Sequence, residues 1–144
     1  MLEVTCAIIF KDQKVLIAQR SESMKLPLKW EFPGGKVEPG ESKAACLIRE
    51  IKEELNISIS VGQELKMVEH HYPDFSLRLY PFVCTYQGGE LTAAEHAQVK
   101  WESIANLMAY DWAEADVPVV EEVMGNPEVL KLLSGTTGNK VIRR

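Results

Sequence analysis

The sequence is short of basic residues: sixteen Lys and Arg stand against twenty-one Asp and Glu among 144 residues, a formal net charge of −5. That deficit argues against long nucleic acid as a partner, because such binding draws its affinity from cations laid along phosphates. Any polyanion is a poor partner unless a metal mediates. No apolar run approaches the ~20 residues of a membrane span, and a 46% hydrophobic and 26% charged composition is that of an ordinary globular chain. A soluble protein without a membrane partner is expected. Cysteine is scarce: Cys6, Cys46 and Cys84 lie in apolar settings without Cys-x-x-Cys spacing. A disulfide framework and a zinc site are thereby disfavoured, and buried free thiols in a reducing cytoplasm are the expectation. The opening segment, Met1 to Phe10, has no basic start and no small-residue cleavage site, so it does not read as a signal peptide. No internal repeat or low-complexity segment is present. The length suits one domain, residues 1–133, followed by a polar tail, 134–144, that carries no functional signal.

What is present is alternation and punctuation. Val4–Phe10 and Val15–Gln19 flank a polar Lys11–Lys14 break and predict a hairpin. Ser21–Leu28 reads as a loop, followed by the aromatic stretch Trp30-Glu31-Phe32. Pro33–Glu41 holds three glycines and two prolines and is expected to be a loop. Ala44, Leu47, Ile48, Ile51 and Leu55 recur at helical spacing and predict a helix over Lys43–Leu55, with Ser42 as its N-cap and Asn56 as a left-handed terminator. Ile57–Val61 reads as a strand. Leu65–Tyr72 and Leu77–Thr85 form a second hairpin around Pro73-Asp74, and Gly88-Gly89 marks another turn. Val99–Trp101 is a short strand, Ser103–Met108 a short helix, Pro118–Met124 a helix, and Asn126-Pro127-Glu128 opens a last helical turn. Hairpins interspersed with substantial helices predict an α/β (α+β) chain, a mixed sheet between helical layers.

On a helical wheel Glu50, Glu53 and Glu54 gather within a sector of about 100°, opposite the apolar residues. Such a trio is ordinarily a solvated helix face. A glycine-rich loop directly before it changes the reading: backbone carbonyls beside three carboxylates suit a hard divalent cation such as Mg²⁺, which takes oxygen ligands. A bound cation would also turn an acidic cleft into one that attracts phosphate.

Gly35, five residues, Glu41, seven residues, then Arg49-Glu50-Ile51-Lys52-Glu53-Glu54-Leu55-Asn56-Ile57 resembles the Nudix hydrolase signature, and eight of its nine constrained positions match. Asn56 replaces the final glycine, and Asn is the next-best residue for the left-handed conformation. The likeness extends through Trp30–Gly35 and the C-terminal half, toward the MutT and CTP pyrophosphohydrolase branch. It implies a Nudix-type α/β/α sandwich and Mg²⁺-dependent hydrolysis, with Mn²⁺ as a substitute, of a nucleoside triphosphate to the monophosphate and pyrophosphate, in the cytoplasm. By the same likeness Glu50, Glu53, Glu54 and the Gly34 carbonyl bind metal, and Glu50 deprotonates or orients the attacking water. Arg49 and Glu41 support the carboxylates.

Glu95, placed by its distance from Trp101, matches a loop glutamate that reaches the metals in that branch, or is a loop carboxylate in water. Whether Glu50 or Glu95 is the general base stays open. His96, lacking an evident partner, is expected at the surface. Arg20 meets phosphate or simply ends a strand. Phe32 packs against the base or belongs to the core. His70 and His71, adjacent on a strand, face opposite sides. Asp116 stands where the branch reads the base. As an ionised acceptor it would favour an edge that presents N–H groups, as cytosine and guanine do, although it is also well placed as a helix N-cap.

The implied substrates are cytidine nucleotides or modified ones such as 8-oxo-dGTP, in a nucleotide-pool cleaning role. The alternatives are hydrolysis of another nucleoside diphosphate compound, such as ADP-ribose or a dinucleoside polyphosphate, or a non-catalytic nucleotide-binding module. Monomer and homodimer are both compatible.

Overall fold

The computed structural model describes residues 1–127 and 129–131. In chain order its elements are β1 (Leu2–Lys11), β2 (Lys14–Gln19), β3 (Trp30–Glu31), β4 (Gly34–Lys36), α1 (Lys43–Leu55), β5 (Ile57–Glu64), β6 (Val68–His71), β7 (Ser76–Gly89), β8 (Gln98–Ser103) and α2 (Val117–Gly125). Short 3₁₀ helices occupy Ile104–Ala109 and Glu114–Asp116. The first hairpin forms as expected. Phe10 pairs with Val15, and both turn residues, Asp12 and Gln13, take the positive φ that matches the twist of the flanking strands.

Period-2 alternation in β1 builds two cores. Cys6, Ile8 and Phe10 pack on one face with Val119, Val120 and Val123 of α2. Ala7 and Ile9 pack on the other with Leu47, Ile51 and Leu55 of α1. A strand buried on both faces needs cover on both, and this produces the expected helix–sheet–helix layering. Leu47, Ile51 and Leu55 are fully buried, each contributing about 1.5–3 kcal/mol. Ser42 caps α1 by accepting from the Ala45 amide, and Asn56 ends it in the left-handed region at φ 61°.

The sheet is mixed. β1 runs parallel to β7, from Leu2 opposite Leu77 to Phe10 opposite Thr85. Both of these strands fork along their outer edges. On β1, β2 takes the C-terminal end while β4 takes Val4–Cys6. On β7, β6 pairs over Ser76–Leu79 and β5 over Phe82–Gly89. The cleft described below lies at the N-terminal halves of β1 and β7, where β4 and β6 replace β2 and β5.

Several expectations need correction. Gly88 and Gly89 do not turn the chain; they extend β7 and pair with Ser58 and Ile57. The Pro33–Glu41 loop contains the short strand β4, because β1 offers it a free edge. The strand expected over Leu65–Tyr72 is confined to Val68–His71. Ile48 is 45% exposed, and Cys46 is buried in its place. Beyond α2, Pro127 and 129–131 are helical, whereas Glu128 and the polar tail, 134–144, lie outside the described residues. All three cysteines are buried and free. Among the described residues no helix is long and apolar enough to cross a membrane.

Candidate active site

A cavity of about 400 Å³ opens at the fork, lined at one end by Gly34, Gly35, Glu50 and Glu54 and at the other by Phe32, Tyr72, Ala115 and Asp116. Arg20, Glu31, Glu95 and His96 line the stretch between.

The α1 end is built by close approach. A Cβ on Gly34 would sit 1.9 Å from the Thr5 carbonyl oxygen, and one on Gly35 would sit 2.3 Å from the Glu50 carboxyl carbon. Only glycines let β4 pair with β1 and still lie over α1. The strand covers Cys46, whose thiol lies 3.4 Å from the Lys36 carbonyl oxygen. It thereby makes part of the polar face of α1 internal. Arg49 organises the carboxylates. Its Nε and Nη2 bond to the two oxygens of Glu41 at 2.6 and 2.9 Å, and its Nη1 reaches Glu50 and Glu53, each at 3.2 Å. This fork, together with the Glu38 amide, lowers the Glu41 carboxyl to about 2. Burial, then the neighbouring Glu50 carboxylate, pushes Glu54 up to about 7.

That imbalance tests the cation expectation. Glu50 and Glu54 are crowded, half-buried hard oxygen donors, and Arg49 reaches only Glu50 of the two, so the pair is only partly compensated and fits a hard cation. Glu53 is 60% exposed and engaged with Arg49, and Glu95 is exposed. Neither converges with them, and among the described residues no three carboxylate, imidazole or thiol side chains stand close enough to hold an ion.

Glu95 nevertheless rides on a loop docked to the end of α1. Thr92 and Ala94 donate their amides to the Leu55 and Glu54 carbonyl oxygens, and Ala97 donates to Gln19, satisfying carbonyls that the helix end leaves open. His96 overturns its expectation. It is buried, and its Nε2 lies 2.8 Å from a Glu31 oxygen. Burial alone would depress its pKa, but the Glu31 bond and the Glu31 and Glu54 charges outweigh that and raise it. Arg20 bonds to the other Glu31 oxygen at 2.8 Å and to the Lys25 carbonyl through Nε, so it faces the cleft rather than merely ending a strand.

At the far end Trp30 donates to Asp111 and accepts from Ala113, tying β3 to the segment before α2. The Tyr72 hydroxyl accepts from the Ala115 amide. Asp116 makes no capping bond; its Oδ2 accepts from the Phe32 amide at 2.9 Å. Full burial, then the Glu31 charge, pushes the Asp116 carboxyl well above the usual range. The N-cap reading therefore fails, while burial works against the reading as an ionised acceptor. Phe32 is buried against Trp112, ring centroids 5.0 Å apart, as the core reading expects, and it also lines the cavity. His70 and His71 do diverge: His70 lies edge-on to Tyr72 while His71 meets Ser76.

Of the residues singled out from sequence, Gly34, Glu50, Glu54, Glu95, Arg20, Phe32 and Asp116 line one cavity; Glu41, Arg49 and Glu53 do not line it. Sequence reasoning gave Glu31 no role. Its signal was a lone carboxylate between Trp30 and Phe32, where an aromatic stretch has no reason to carry a charge unless a partner awaits it.

The NUDIX domain family matches residues 1–123. The CTP pyrophosphohydrolase of Escherichia coli K12 is 38% identical over 124 residues, covering 86% of this chain and 92% of that protein. The 8-oxo-dGTP diphosphatase of the same organism is 28% identical over 123 residues, covering 85% and 95%. The solution structure of a MutT protein of the Nudix hydrolase family from methicillin-resistant Staphylococcus aureus superposes with a TM-score of 0.70 at 46% identity, covering 85% of this chain and 95% of that one. With the Nudix signature folded around one cleft and matches of this extent, the chain belongs to the Nudix hydrolase family.

Proposed function

We propose that the protein is a Mg²⁺-dependent nucleoside triphosphate pyrophosphohydrolase, converting a (d)NTP and water to the (d)NMP and pyrophosphate, with cytidine or modified nucleotides as substrates. The observation that carries this reading is one cleft with two unlike ends, a crowded carboxylate pair on α1 and a buried carboxyl beside an aromatic ring, bridged by an arginine. Named relatives acting on CTP and on 8-oxo-dGTP support it.

Glu50 and Glu54, with the Gly34 carbonyl, would hold the ion, and Glu53 and Glu95 would join from the rim. When bound, the cation supplies charge neutralisation for the polyphosphate and a polarised water. The chain's own groups do the rest. Glu50, fixed in direction by Arg49, takes the proton of the attacking water. Glu41 holds Arg49 in place. Arg20, with Nε and Nη1 engaged by Lys25 and Glu31, leaves Nη2 for a phosphate oxygen. Burial favours the protonated form of Asp116; in that form it would both donate and accept, which suits the cytosine edge, where an amine donor adjoins a ring-nitrogen acceptor.

The test is release of pyrophosphate against phosphate from CTP, dCTP, dGTP and 8-oxo-dGTP with Mg²⁺ or Mn²⁺, run beside Glu53→Gln. Pyrophosphate release is expected, lowered about 10²- to 10³-fold in the variant. No turnover on any nucleotide, or a variant equal to wild type, would refute it.

A further inference from the structure

His96 is a deeply set polar side chain of the cleft: the side chain is 2% exposed, Nε2 meets Glu31 at 2.8 Å, and Nδ1 is buried with no hydrogen-bond partner among the described residues. A buried imidazole nitrogen without a partner is unfavourable, because its desolvation is not repaid. A leucine would fill the space without that penalty. What the imidazole alone provides is a connection. Glu31 sits on β3 and holds Arg20 at the end of β2. His96 sits on the loop that bears Glu95, which is docked by its backbone on the last carbonyls of α1. The bonds that Glu31 accepts from Arg20 and from His96 are thus a side-chain link between the wall facing the nucleotide and the loop facing the carboxylates of α1.

We infer that His96 is a positioning residue, joining Arg20 and Glu31 to the Glu95 loop so that the substrate-contacting arginine and that loop are set together. The inference rests on the pyrophosphohydrolase reading for its kinetic consequence but not for its geometry. Both Oε atoms of Glu31 are used, one by Arg20 and one by His96. Removing the imidazole releases the carboxylate to rotate, and Arg20 with it.

The experiment compares His96→Gln, His96→Asn and His96→Leu in the full chain. Gln carries an N–H donor at the reach of Nε2; Asn is too short and Leu has no donor. Expected for Asn and Leu is a rise in KM together with a fall in kcat, combining to a loss of about 10- to 100-fold in kcat/KM, with Gln recovering most of both. A purely structural role would lower the melting temperature and the active fraction and leave KM unmoved. Gln no better than Asn, or an Asn variant equal to wild type, would overturn the inference, and this pair decides even where Leu does not fold. In ¹H–¹⁵N spectra of the nucleotide-free protein the Arg20 Nε–H and Glu95 amide signals should both move in Asn and stay near wild type in Gln. If wild type turned over no nucleotide, the functional reading would fail while these spectra still judged the link; unmoved signals in Asn would refute it.

Discussion

Glu41 and Asp116 hold carboxyl groups in the same fold by opposite means. The Arg49 fork lowers Glu41 to about 2 and keeps it charged, whereas burial pushes Asp116 well up and favours its protonated form. One region is an open ion-pair network, the other a dry wall built from Phe32, Trp112 and Tyr72. The difference shows how a carboxylic acid becomes either an anchor for cations or a neutral hydrogen-bonding pair for a base. The decision lies in whether a guanidinium or a ring stands beside it.

The largest effect should come from breaking the charged end. Glu50→Gln keeps the shape beneath Gly35 but removes both the base and a charge, and kcat is expected to fall about 10²- to 10⁴-fold. Arg49→Lys should cost less, about 10- to 100-fold, because one ammonium cannot replace a fork that engages Glu41, Glu50 and Glu53 together. Steady-state kinetics with saturating Mg²⁺ would measure both. A Lys variant at wild-type rate would mean that Arg49 supplies charge alone and that its geometry is idle.

Legibility followed the same division. The charged end was readable because its chemistry is local: Gly35, Glu41, Arg49, Glu50, Glu53 and Glu54 sit within one loop and one helix, where spacing maps directly onto geometry. The bounds of α1, its Ser42 cap and its Asn56 terminator were readable for the same reason. The neutral end was not, since its partners meet across long stretches of chain. Phe32 to Asp116 spans 84 positions and Glu31 to His96 spans 65. From sequence, Asp116 reads as an ionised base reader or a helix N-cap and His96 as a surface residue, because burial is a property of the assembled cleft. The forks of β1 and β7 were likewise invisible, since alternation reports which face a strand buries and not which neighbour takes which half of its edge.

Breaking the neutral end should alter selectivity more than rate. Asp116→Asn preserves an acceptor for the Phe32 amide but removes the ionisable proton. The ratio of kcat/KM for CTP over dGTP is expected to shift about tenfold or more; an unchanged ratio across CTP, dCTP, dGTP and 8-oxo-dGTP would exclude base reading by this residue. Stability offers a second measure. The folded state holds the Asp116 proton more tightly than the unfolded chain, whose ordinary value is 3.8. This contribution is fully present below that pH and lost as pH rises toward the folded-state pKa. Denaturation from pH 4 upward should therefore show a downward slope that Asp116→Asn flattens.

The smallest effect, and the sharpest contrast, lies in the acid limb. Glu41 has its folded pKa lowered from 4.5 to about 2, so the unfolded chain takes up its proton first as pH falls. The stabilisation is complete above pH 4.5 and disappears as pH falls through about 2, a slope of opposite sign to that of Asp116. Because Glu41 stands in contact with water, salt screening reduces the gain. Glu41→Gln should lower stability modestly at pH 7, converge on wild type near pH 2, and lose part of its deficit in high salt, all readable from urea midpoints across a pH series. A deficit that persisted undiminished at pH 2 would mean that Glu41 stabilises the loop before α1 through its bond from the Glu38 amide, and that its charge on Arg49 contributes nothing.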